Sequence, residues 1–136
     1  MIFDPTDQNR RGSQRKDAAF TLNFSIEKPF ELRISLGMPG EAGALMQDLS
    51  DLGAAIITKY DIPLGTQLRV KFNLMNLHLH GEKRLRRMEL IAGTVSNLVL
   101  PDKSHRIGIR FDKISEEDKA AIREYVKRRI DVQGKD

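Results

Sequence analysis

From Ala18 onward the chain settles into strict alternation of apolar and polar residues. Phe20, Leu22, Phe24 and Ile26 fall on one side, with Thr21, Asn23 and Ser25 on the other. Successive side chains of a strand point to opposite faces, so this pattern predicts a half-buried β-strand. Lys28-Pro29 interrupts it. Phe30, Leu32, Ile34 and Leu36 then alternate with Glu31, Arg33 and Ser35, which predicts a second strand. Gly37 to Gly43 is punctuated by glycine and proline and reads as a loop. Ala44–Asp48 and Ala54–Thr58 are short strand candidates on either side of a turn, Asp48–Gly53. After a connection containing Pro63 and Gly65, Leu68, Val70, Phe72 and Leu74 alternate with Arg69, Lys71 and Asn73. The chain continues extended to Glu82, with Gly81–Arg87 reading as a basic hairpin tip. Met88–Leu100 is a long strand candidate with a bend at Gly93. A turn at Pro101–Ser104 leads to Arg106–Phe111, with Ile107, Ile109 and Phe111 on one face.

The last segment has a different period. Ile122, Tyr125, Val126 and Ile130 recur at helical spacing and form one apolar stripe. Ser115 is placed to cap the N-terminus, with Glu116, Glu117 and Asp118 in the first turn, and Asp118 suits a capping box in its Asp form. Acid at the front and Lys127, Arg128 and Arg129 at the back match the helix dipole. The expected architecture is mainly β: about six or seven antiparallel strands closed into a barrel, since closure removes exposed edges, with a C-terminal α-helix covering it. Residues 1–17 show no period and are rich in Asp, Asn, Gln and Arg, so they read as a flexible N-terminal arm ahead of a folded body over residues 18–132.

Composition narrows the class. A chain of 136 residues fits one domain and is long enough to bury a sizeable core without staples. It contains no cysteine, which excludes disulfides and thiolate chemistry. No apolar run approaches the roughly 20 residues of a membrane helix. The first residues are polar rather than an apolar leader, and with the missing cysteine this favours a bacterial-type cytoplasmic setting. The formal net charge is +4 and is carried in clusters: Arg10, Arg11, Arg15 and Lys16; Lys83, Arg84, Arg86 and Arg87; Lys127 to Arg129. The first two clusters are able to attract phosphate groups. Tryptophan is absent and there are two tyrosines, so a stacking platform for single-stranded nucleic acid is poorly supplied.

The chemistry concentrates in two short signatures, Arg10-Arg11-Gly12-Ser13-Gln14-Arg15 and Asp48-Leu49-Ser50-Asp51-Leu52-Gly53. Guanidinium forks match phosphate oxygens and also the O6/N7 edge of guanine. Asp48 and Ser50 offer short polar contacts, and Gly53 supplies either a positive φ or a close backbone approach. The plainer account of each is a solvated arm and an Asx/Ser turn closing on its own backbone. His78, His80 and Glu82 alternate on one side of a strand, but a fourth metal ligand is missing and an exposed polar face explains them. Neither a Ser/His/Asp order nor a phosphate-loop glycine signature is present, so no enzyme is expected.

These residues resemble a known family. Arg11-xxx-Arg15, Asp48-x-Ser50-x-x-Gly53, and Ile107-Gly108-Ile109-Arg110-Phe111 ahead of an acid-capped helix occur in the order found in the PilZ domain, a small bacterial β-barrel that binds cyclic di-GMP. The resemblance covers about Arg10 to Arg129. It implies that Arg11 and Arg15 grip phosphates and guanine edges as the arm folds over the ligand. It also implies that Asp48, Ser50 and Gly53 meet a guanine or its ribose, and that Arg10 accompanies binding of a stacked ligand pair. Arg110 stands on the strand face opposite Ile109 and Phe111, near such a ligand or simply solvated. Cyclic di-GMP is then the ligand, with no cofactor, metal or membrane, and with a protein partner in motility, pilus or polysaccharide machinery. Two rivals stay open: a non-binding adaptor of the same fold, and a small nucleic-acid-binding barrel using Lys83–Arg87, which the poor aromatic supply disfavours.

Overall fold

The computed structural model describes residues 20–77 and 83–134. Among these residues six strands and two helices follow one another: β1 (Phe20–Lys28), α1 (Leu32–Ser35), β2 (Ala42–Gln47), β3 (Gly53–Thr58), β4 (Gln67–Leu77), β5 (Lys83–Val99), β6 (His105–Lys113) and α2 (Glu116–Gly134). The strands close into an antiparallel barrel in the order β1-β2-β3-β6-β5-β4, with β4 returning to pair with β1. The alternation read along the chain decides which side faces in. Leu22, Phe24 and Ile26 of β1, Leu68, Val70, Phe72 and Leu74 of β4, and Ile107, Ile109 and Phe111 of β6 are all buried. Ile122 of α2 is fully buried against them, and Tyr125 and Val126 pack half-buried beside it. Phe20 stacks tilted on Phe72 at 5.9 Å and meets Tyr125 edge-on at 6.1 Å, joining the start of β1 to α2. No helix among the described residues is long and apolar enough to cross a membrane.

The expected second strand at Phe30–Leu36 is instead a loop with the single helical turn α1. Its alternating pattern contains a hidden helical pair: Leu32 and Leu36, four apart, turn together onto the core, while Phe30 and Ile34 remain exposed. β1 and β2 pair directly, from Phe20↔Met46 to Phe24↔Ala42, so no position is left between them for a further strand. The basic tip is also shifted. Lys83 to Arg87 pair with Leu77 to Asn73 in a continuous ladder, and only the connection, which holds His78, His80 and Glu82, lies outside the described residues. The bend at Gly93 corresponds to register shifts on both sides of it, between Ile91 and Ala92 and between Thr94 and Ser96.

The C-terminal helix starts as its sequence predicts: the Asp118 N–H donates to the Ser115 hydroxyl oxygen at 3.0 Å. Its end differs. The helix runs on to Gly134, so Lys127, Arg128 and Arg129 precede the last turn, which carries no basic residue. A dipole contribution falls off within that turn, and the match expected from these three cations is correspondingly reduced.

Candidate functional site

The Asp48–Gly53 turn joins β2 to β3 at one rim of the barrel and is held by its own polar groups. The Ser50 N–H donates to the Gly53 carbonyl at 2.9 Å, and the Leu52 N–H donates to the Ser50 hydroxyl oxygen at 3.1 Å. The Phe111 N–H donates to the Leu52 carbonyl at 2.9 Å, which pins the turn to β6. Leu49 is buried beneath it. The positive φ expected as one option at Gly53 belongs to Asp48, at 53°; aspartate is among the few residues besides glycine that visit this region. Gly53 serves the other option, close approach. A Cβ there would overlap the Ile109 carbonyl oxygen and stand 3.1 Å from the Arg110 Cα.

The two carboxylates of the turn reach different elements. Asp48 pairs with the Arg106 guanidinium on β6, and the Asp51 carboxylate accepts from Arg123 Nε on α2 at 2.8 Å. Between turn and helix lies an open depression of about 300 Å³ lined by Ser50, Asp51, Arg123, Val126 and Lys127. Nearest the turn, the outward row of β3 and β6 begins with small residues and one cation, before Ile57 and Arg106. Gly53 faces Arg110, which in turn faces Gly93 of β5; Ala55 faces Gly108. Arg110 is exposed, and a Cβ at Gly108 would have to push aside the Ser96 hydroxyl that crosses it. Three of the six residues singled out in the sequence, Asp48, Ser50 and Gly53, thus share one rim. Arg10, Arg11 and Arg15 lie outside the described residues.

Two contacts of this rim escaped the sequence reading. Arg106 and Arg123 are 58 and 72 residues from the aspartates they meet. A partial signal existed for Arg106: with Ile107 and Ile109 facing in, Arg106 and Arg110 must face out on the same side as the turn's neighbours.

The fold is thus a small closed antiparallel barrel with a helix packed on its core and an Asp/Ser/Gly turn at its rim. The PilZ domain family profile matches residues 9–128, and the chain belongs to that family. Among solved structures, the Bacillus subtilis inhibitor of motility MotI/DgrA is similar in fold, with a TM-score of 0.65 and 19% sequence identity. The match covers 87% of this chain and 50% of that one, so the present chain spans about half the neighbour's length. No curated protein sequence matches the chain.

Proposed function

We propose that the chain is a cyclic di-GMP receptor module, acting by binding rather than catalysis, whose arginine arm orders over the Asp48–Gly53 turn and alters the surface offered to a protein partner. The observation that carries this is where the arm is attached. Phe20 pairs with Met46, two residues before Asp48. Partners in an antiparallel ladder are roughly 5 Å apart, so the arm starts beside the turn. Arg15 lies five residues ahead of Phe20 and has a reach of up to roughly 17 Å, and Arg11 has more. The ligand offers two phosphodiesters and two guanines, and bidentate arginine pairing serves both. Ordering of a chain segment on a ligand is a common route by which proteins signal. Family membership favours this ligand, and the neighbour, by its name an inhibitor of motility, puts motility first among the outputs we consider.

The test is calorimetric titration with cyclic di-GMP, with GTP as control. Micromolar or tighter binding is expected for the wild-type chain, and Arg15→Ala and Asp48→Ala are each expected to remove most of it. Wild-type affinity retained by both variants would rule out this site. No binding by the wild-type chain would leave the adaptor account, in which protein contacts alone carry function.

A further inference from the structure

Asp48 does not stand alone at the rim. Its carboxylate is held by Arg106, and the two side chains are only 31% and 35% exposed. An ion pair this sheltered is screened less than one on open surface. The shelter comes from the strand register: Arg106 faces Ile57 of β3 and Leu98 of β5, and Ile57 faces Leu45 of β2. The stem of Arg106 therefore crosses an apolar outer row, and only the guanidinium end turns to Asp48. At the other end of the pair, the left-handed backbone at Asp48 and the Ser50–Gly53 hydrogen bond fix where the carboxylate starts from.

Resting on the cyclic di-GMP reading above, we infer that Arg106 is a positioning residue that sets the base selectivity of the site by holding the Asp48 carboxylate toward the guanine edge. Guanine presents two adjacent donors there, N1–H and the N2 amine, and a carboxylate accepts from both. Adenine presents an acceptor at N1 at the same place, and a carboxylate that cannot turn away opposes it. A rigid acceptor rejects the wrong base because its own bonds go unmade, whereas a loose one adapts to either. Arg106 acts here through Asp48 and not by gripping a phosphate itself.

Titration of cyclic di-GMP and cyclic di-AMP into the wild-type chain, Arg106→Ala, Arg106→Lys, Asp48→Ala and the Asp48→Ala/Arg106→Ala double variant separates these roles. NMR shift changes extend the measurement to weak binding, and thermal unfolding confirms that each variant is folded. In Arg106→Ala the preference for guanine is expected to fall about tenfold or more, chiefly through loss of cyclic di-GMP affinity. Arg106→Lys, a point charge without the planar fork, should restore part of it. In the Asp48→Ala background, removing Arg106 should change affinity by less than about twofold, since residues acting as one unit are not additive. An equal loss for both dinucleotides, additive losses in the double variant, or an unchanged preference in folded Arg106→Ala would overturn the inference while leaving the receptor reading standing. Full affinity in Asp48→Ala would overturn this inference, and failure of the wild-type chain to bind cyclic di-GMP would overturn the reading and this inference with it.

Discussion

Gly53 shows how little tolerance the rim has. Its Cα faces the β6 backbone so closely that an added methyl group would meet the Ile109 carbonyl, which is main chain and cannot swing aside. Gly53→Ala must therefore displace β3 from β6 or distort the turn. Forced overpacking of this kind costs roughly 1–3 kcal/mol, visible as a fall of several degrees in the thermal midpoint. A midpoint unchanged from wild type would show that the two strands are not in this register. A second residue-scale case lies in the β5–β6 turn. The Asp102 carboxylate accepts from the Ser104 hydroxyl at 2.5 Å and from the Ser104 N–H at 3.0 Å. These two bonds, the hydroxyl first, hold its pKa below the ordinary aspartate value. A carboxyl depressed on folding stabilises the protein above its unfolded pKa, and that contribution is lost as pH falls through the lower folded value. Ser104→Ala removes the larger cause, so the Asp102 titration, followed by carboxyl NMR, should move up toward the usual range. An unmoved titration would contradict the assignment.

Among the elements, α2 was the most legible and α1 the least. The cap at Ser115, the acidic first turn and the stripe through Ile122, Tyr125 and Val126 are all local rules written within one helix, and all three appear in the structure. Replacing Ser115 with Ala leaves the Asp118 N–H without its partner and should cost about 1 kcal/mol, with Ser115→Asp recovering most of the loss. Chemical denaturation reads both; equal stability of wild type and Ser115→Ala would mean that the cap contributes nothing. The segment Phe30–Leu36 misled because alternation at two-residue spacing also contains the four-residue spacing of a helix. Over so short a run, packing chose between them: a strand there had no neighbour to pair with, and a turn could still bury Leu32 and Leu36. The basic run Lys83–Arg87 falls within the expected tip Gly81–Arg87, but backbone pairing with β4 extends through it. Charged side chains on the exposed positions of a ladder do not prevent it.

At the scale of the whole molecule, the periods along the chain already stated that it is a sheet of half-buried strands ending in a helix, and the glycines, serine and aspartates already marked where it turns. Those are short-range properties: face, cap and turn geometry depend on residues within four or five positions of one another. Strand order is different, because alternation says which side of a strand is wet and nothing about which strand lies beside it. Closure of the barrel brought Phe20 to Met46, Arg106 to Asp48 and Arg123 to Asp51, and no local pattern names those partners. Long charged side chains suit many neighbours equally well in the unfolded chain. Which carboxylate each one meets depends on register and on the burial of apolar surface across all six strands, a sum that exists only once the barrel has closed.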